Sequence, residues 1–188
     1  RLKKMLDISS SDIYQAQLQD GRYIAIIPCS PDVAEKLAKF ETVESMTKQD
    51  RQRGFYSDPR YHQPIFPNDA RYDWTEDNFG PLWIPKQGAS VQLTLENLPL
   101  YRRVIDLYEG HELEVRGEQI IIDGQPATSY TFAQDYYWLM GDNRHRSQDA
   151  RFWGFVPFDH IVGKAVLVWF TKDPETGIRW KRMFSGVK

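Results

Sequence analysis

Apolar and polar positions fall into blocks along this chain, and each block predicts an element. "RYIAIIP", Arg22 to Pro28, is an apolar run with β-branched residues and reads as a buried strand. Ser30-Pro31-Asp32 then opens a helix: Ser30 is placed to cap, Pro31 suits the first turn, and Asp32 complements the dipole. In "VAEKLAKF", Val33, Leu37 and Phe40 share one face. "TVESMT", Thr42 to Thr47, reads as a second strand, so strand–helix–strand is the simplest arrangement. "LKKMLDI", ahead of them, reads as a further short helix. Residues 48–81 are rich in Arg, Asp, Pro and aromatics and have no period, as in a linker or a functional loop.

From Leu82 onward the pattern is mostly β. "SVQLTL" alternates like a half-buried strand. One helix interrupts, "NLPLYRRVIDLYEG": Asn97 is placed to cap it, Pro99 fits its first turn and Gly110 stops it. Tyr101, Val104, Ile105 and Tyr108 form its apolar stripe. Strands resume in "ELEV", "QIIID", "TSYTF", "YYWLM", "KAVLVWF" and "IRWKR". Arg116-Gly117, Asp123-Gly124 and Asp173 to Gly177 supply turns. The expected class is mainly β, α+β overall, with an antiparallel β part and a small α+β unit. The domain boundary falls in the irregular run, giving residues 1–77 and 78–188.

Composition narrows the function classes. The 188 residues are 41% hydrophobic and 27% charged, enough for a real core. A net charge of −2 argues against a nucleic-acid partner. Cys29 is the single cysteine, so no internal disulfide can form, and after "YIAII" it reads as a strand end rather than a nucleophile. His62, His111, His145 and His160 have no metal-ligand spacing, and no cofactor is expected. No apolar run approaches the ~20 residues of a membrane span, and no signal peptide is visible. The chain opens at Arg1 rather than at a methionine, so the expectation is a piece of a longer protein.

The densest chemistry lies in "MGDNRHRSQDARFWGFVP", Met140 to Pro157, between two apolar segments. Asp142 and Asn143 suit a tight turn. Asp149 and Arg151 stand two apart, where an extended segment would put them on one face, to pair with each other or with Arg144 and Arg146. A charged network sealed under aromatics is stiff, as a catalytic support must be. The residues alone leave this open against a structural β-corner.

"GDNRHRSQDARFWGFVP" resembles the last box of bacterial type I signal peptidases, Gly-Asp-Asn-Arg-x-x-Ser-x-Asp-Ser-Arg followed by Gly-x-Val-Pro. Gly141, Asp142, Asn143, Arg144, Ser147, Asp149, Arg151, Gly154, Val156 and Pro157 match; Ala150 stands where the family usually has serine. The resemblance is tight over residues 130–170 and loose over 78–130, and it makes residues 1–77 look like an insertion. It implies removal of signal peptides from exported preproteins by a Ser–Lys dyad, on the outer or periplasmic face of the bacterial inner membrane. It also implies roles: Ser147 fixes the direction of the lysine amine, Asp149 and Arg151 brace the site, and Asp142, Asn143 and Arg144 shape its turn.

The dyad is not in this chain. The one Ser-Met, Ser45-Met46, lacks the proline of the family's Ser-Met-x-Pro-Thr. The nearest echo of the lysine motif puts Arg102 at the lysine's place, and arginine stays protonated in proteins. The expectation is therefore the C-terminal part of a membrane-anchored peptidase, inactive alone, with the dyad supplied upstream. The rival is a dyad-less homologue that binds peptides or an envelope partner by strand pairing, which Ala150 favours. A self-cleaving repressor-type protease is disfavoured by the Gly-Asp-Asn-Arg run. Trp138, Phe152, Trp153, Phe155, Trp169 and Phe170 divide between core and a membrane-facing surface, with core the default for most. The basic "RWKRMFSGVK" suits anionic lipid or a solvated terminal strand.

Overall fold

Asp20 and Gly21 sit at positive φ, +50° and +76°, as a two-residue type I′ hairpin loop requires. They join β1 (Tyr14–Gln19) to β2 (Arg22–Ile26) in an antiparallel ribbon. The computed structural model describes residues 13–27, 29–57, 65–173 and 177–187. The short helix expected in "LKKMLDI" lies outside them.

The first ribbon departs from the strand–helix–strand expectation. β2 is a strand, but an exposed one, with Tyr23 80% accessible. Its partner is β1, and Thr42–Thr47 is irregular, with Ser45 and Met46 exposed. The Asp20-Gly21 signal decides the pairing, because a two-residue loop closes at far lower entropic cost than a helix-length crossover. Helix α1 (Pro31–Ala38) forms as predicted and buries Leu37, with Val33 and Phe40 half-buried. Ser30 precedes it in extended geometry, but its side chain makes no capping bond. Its carbonyl accepts from the Val33 and Ala34 amides, both at 3.0 Å.

The irregular run is no loose tether. Ile65, Phe66 and Trp74 are buried in the same core as the β part, with Tyr56, Tyr72 and Phe79 packed against it. Its regular content is one 3₁₀ turn, Phe55–Ser57, among the described residues. Its polar groups close locally: Arg53 pairs with Asp73 at 2.7 Å and Arg71 with Asp69 at 2.6 Å. Thr75 is fully buried, and its hydroxyl donates to the Arg51 carbonyl at 2.6 Å.

The fold is mainly β with a minor helical part, and every strand pair among the described residues is antiparallel. β3 (Ser90–Gln92) leads into α2 (Leu98–Arg103), which continues as a single π turn, Val104–Tyr108. Tyr101, Val104 and Ile105 are buried and Tyr108 is half-buried, so the sequence stripe faces the core. A meander follows: β4 (Leu113–Arg116), β5 (Gln119–Ile122) and β6 (Gln125–Pro126). Gly117 at φ +62°, then Asp123 and Gly124 at +50° and +76°, form its two hairpin loops. β7 (Ser129–Thr131) returns to pair with β3.

Glu109, just past the π turn, ties this region together. It accepts from the hydroxyls of Tyr130 and Tyr136, the latter at 2.8 Å, and from the Ala133 amide at 3.0 Å. Burial pushes both phenols up from their ordinary pKa, and their bonds to the carboxylate add to it. Rings of Trp74, Phe79, Trp138, Phe66, Phe155, Tyr101 and Phe132 then form a continuous contact chain, with successive centroids 4.5–6.1 Å apart.

Beyond Phe158 the packing thins. β10 (Leu167–Val168) pairs with β13 (Ser185–Gly186), and β11 (Lys172–Asp173) with β12 (Gly177–Ile178). Each pair is two residues long. Val162, Val166, Leu167, Trp169, Phe170, Trp180 and Phe184 are exposed. Of the six aromatics in question, Phe155 is buried, Trp138 and Phe152 pack against the core and Trp153 is half-buried, whereas Trp169 and Phe170 face outward.

Candidate active-site support

Two short strands frame the polar run: β8 (Tyr136–Tyr137) pairs with β9 (Val156–Pro157), in the register Tyr136↔Pro157 and Tyr137↔Val156. Residues 138–155 form the loop between them. The chain leaves β8 through Trp138 to Gly141, makes a 3₁₀ turn over Arg144–Arg146, runs extended at Ser147, and enters α3 (Ala150–Trp153). Asp149 caps α3, its Oδ1 accepting from the Arg151 amide at 3.2 Å. Gly154 ends it at φ +91°, where a Cβ would lie 2.6 Å from the Phe66 ring, so only glycine fits.

The pairing of Asp149 with Arg151 is the centre of this loop. Arg151 Nε donates to Asp149 Oδ1 at 2.8 Å and Nη2 to Oδ2 at 2.9 Å, a bidentate fork. Arg151 is 1% exposed and Asp149 5%. Two further donors of the guanidinium are used, Nη1 on the Glu76 carbonyl at 3.1 Å and Nη2 on the Arg144 carbonyl. Asp149 Oδ2 accepts from the Gly141 amide at 3.1 Å. Burial pushes the Asp149 carboxyl up, but the bonds from Arg151, Ser147 and Gly141 outweigh it and hold it down at about 2. A buried pair bonded to each other and to the surrounding backbone avoids the penalty of an unpaired buried charge.

Ser147 sits against this pair. It is half-buried, its hydroxyl bonds Asp149, and Gly141 lies directly beneath it. A Cβ on Gly141 would collide with Ser147 Oγ and come within 2.6 Å of its Cβ, so this glycine makes the seat. Ala150, where the family has serine, is fully buried at the first helical position, and its methyl needs no hydrogen-bond partner.

Asp142, Asn143 and Arg144 form the exposed rim. Asp142 Oδ1 accepts from the Asn143 amide at 2.9 Å, and its carbonyl from the Arg144 amide at 3.1 Å. Arg144 reaches the ion pair through its carbonyl, not through its guanidinium. The structure thus brings Ser147, Asp149 and Arg151 together and places Asp142, Asn143 and Arg144 as the turn above them. Arg102 is exposed on α2, and Ser45 is exposed in the irregular segment after α1. His62 lies outside the described residues; His111 bonds Asp123 at 2.7 Å, and His160 packs on Tyr108.

Sequence patterning missed the second wall of this site. Arg51, Tyr56, Glu76 and Asp77 come from the irregular run. Glu76 Oε1 accepts from Tyr56 at 2.6 Å and from Arg51, and the Asp77 carboxylate takes the Arg51 amide at 2.9 Å and lies 3.3 Å from His145 Nε2. No spacing marks these partners, which stand about 25 residues apart; the sole hint was the density of charge and rings.

Known proteins bear out the resemblance over part of the chain. The model of the family described as signal peptidase, peptidase S26, matches residues 127–170. Signal peptidase I of Haemophilus influenzae is 39% identical over 71 residues, 35% of this chain and 20% of that protein. Signal peptidase I of Leptolyngbya laminosa is 33% identical over 96 residues, 44% of this chain and 47% of that protein. The Aquifex aeolicus protein of the same name is 50% identical over 42 residues, 22% of this chain and 16% of that protein. The match thus spans between a sixth and just under half of these relatives' length. No solved structure matches. Over the segment that carries the buried Asp149–Arg151 pair and Ser147, this chain is similar to bacterial type I signal peptidases.

Proposed function

We propose that residues 78–188 are the C-terminal part of a membrane-anchored signal peptidase I that removes signal peptides from exported preproteins. Residues 1–77 form an inserted unit and connection, and the nucleophilic serine and general-base lysine come from a segment upstream. One observation carries the reading: Ser147 is seated on a buried, bidentate Asp149–Arg151 pair.

The chemistry follows from that seat. A lysine acts as a base only when neutral, and burial favours its neutral form. A neutral amine has two N–H donors and one lone pair. Ser147 turns its hydroxyl proton toward Asp149, which leaves its own lone pairs free to accept an amine N–H. The amine lone pair then points elsewhere, toward the proton of the attacking serine. Arg151 cancels the charge of Asp149, so the support adds no net charge that would keep the lysine protonated. Asp142, Asn143 and Arg144 hold the rim in shape above it.

The same reading puts the protein on the bacterial inner membrane, facing the periplasm or exterior. The exposed apolar side chains of Val162, Val166, Trp169, Trp180 and Phe184, with Lys164, Lys181 and Arg182 near them in sequence, suit the interface of an anionic bilayer. No helix among the described residues is long and apolar enough to cross a membrane. The test is cleavage of a preprotein by the product of the whole reading frame and by this chain alone. The expected result is activity in the former, none in the latter, and a loss of about 10²-fold or more in kcat on Ser147→Ala. A reading frame with no serine–lysine pair and no cleavage would leave the rival reading, a dyad-less peptide-binding module.

A further inference from the structure

Beside the box lies a cleft of about 360 Å³. Phe79, Leu82, Ile84, Trp138 and Met140 give it apolar walls, and Glu76, Asp77 and Arg151 line its polar end. The polar groups differ in what they have left to offer. Arg151 gives four of its five guanidinium N–H groups to Asp149 and to two carbonyls. Asp77 holds the Arg51 amide and faces His145. Glu76 is the exception. Its side chain is nine-tenths buried, Oε1 takes Arg51 and Tyr56, and Oε2 is the buried side-chain atom that has no hydrogen-bond partner among the described residues.

A buried carboxylate oxygen without a donor is costly, and a bound donor removes that cost. Charge says which donor. Among the lining groups together with Arg51 and Asp149, the carboxylates of Glu76, Asp77 and Asp149 outnumber the cations, Arg51 and Arg151, by one, and Lys48, which also acts on Asp77, is itself paired with Asp50. His145 offsets this excess only when protonated. A donor that is also a cation therefore gains most. The walls say what must carry it: an apolar stem with a charged head, as in a lysine side chain.

We propose that this cleft binds a basic side chain of a polypeptide, with its stem along Phe79, Leu82, Trp138 and Met140 and its ammonium on the Glu76 carboxylate, whose Oε2 turns toward the cleft to meet it. This goes beyond the peptidase reading and does not need the dyad. The bound lysine is cargo rather than catalyst, because a carboxylate beside an ammonium stabilises its charged form, whereas a general base must be neutral. A metal ion is a poorer occupant: among the described residues no three His, Cys, Asp or Glu side chains are grouped to hold one.

The test is calorimetric titration of this chain with two blocked tripeptides, acetyl-Ala-Lys-Ala-amide and the same peptide with norleucine, which keeps the stem and lacks the charge. The lysine peptide is expected to bind at least about tenfold more tightly, the scale of one charge-assisted bond. Glu76→Gln is expected to abolish that preference, with its fold checked by circular dichroism. Ile84→Trp, which fills the cleft and leaves Glu76 in place, is expected to weaken both peptides, and it carries the test should Glu76→Gln fail to fold. Equal affinities, no binding of either peptide, a preference that survives Glu76→Gln, or lysine-peptide binding untouched by Ile84→Trp would each overturn the proposal. The readout is binding alone, so failure of the peptidase reading, seen as lack of cleavage by the longer protein, is a separate result.

Discussion

Two stretches of the C-terminal half invert the usual relation between polarity and burial. "RHRSQDAR", Arg144 to Arg151, is among the most polar runs in the chain, yet it buries Asp149, Ala150 and Arg151. "KAVLVWF", Lys164 to Phe170, is among the most apolar, yet Trp169 is 70% exposed and Val166, Leu167 and Phe170 are exposed as well. Burial depends on whether a surface is there to receive the side chain. The polar run is framed by β8 and β9, its Arg151 carbonyl takes the Phe66 amide, and its Arg151 guanidinium reaches the Glu76 carbonyl. The apolar run pairs through two residues of β10 and meets little else. Polarity writes what a segment needs, and topology decides whether it gets it.

The contrast breaks first at the ion pair. Asp149→Ala leaves Arg151 as a buried, uncompensated charge and should cost about 3–5 kcal/mol in denaturant unfolding. A loss under about 1 kcal/mol would mean that water reaches the pair and that the seat is not stiff.

Acid probes the same pair with a smaller effect. The folded-state pKa of Asp149, about 2, lies below its unfolded value of about 3.9. Its contribution is therefore complete above about pH 4 and is lost as pH falls through about 2, removing about 2 kcal/mol. Stability measured between those pH values should fall in the parent chain and fall less steeply in Asp149→Ala.

The smallest effect belongs to the exposed run. Trp169→Ser should change stability by less than about 0.5 kcal/mol, because little packing is lost. It should nonetheless weaken sedimentation with vesicles of anionic phospholipid. A large destabilisation would show that this face is packed in solution and would remove the contrast.

Much of the β part was legible because its signals are local. The Tyr101–Tyr108 stripe and the Asp123-Gly124 turn each specify their element within a few residues. Asp149 and Arg151 were legible as a pair because they are two apart. The N-terminal pairing was misread, although Asp20-Gly21 spelled out a hairpin, because the apolar run of β2 invited a buried strand. Residues 65–80 were illegible for another reason. Their contribution to the core is made by Ile65 and by rings at uneven spacing, Phe66, Tyr72, Trp74 and Phe79, which no helical or strand period reveals. Glu76 and its partners were hidden by the same non-periodicity.

One bond joins those two histories. The Phe66 amide donates to the Arg151 carbonyl at 2.8 Å, and the Phe66 ring occupies the space that a side chain at Gly154 would take. The run read as a connection is thus locked to the loop that holds Ser147. That amide becomes a built-in clock for the site: it exchanges its proton with solvent only when the bond to Arg151 opens, so its exchange rate reports how often the seat comes apart.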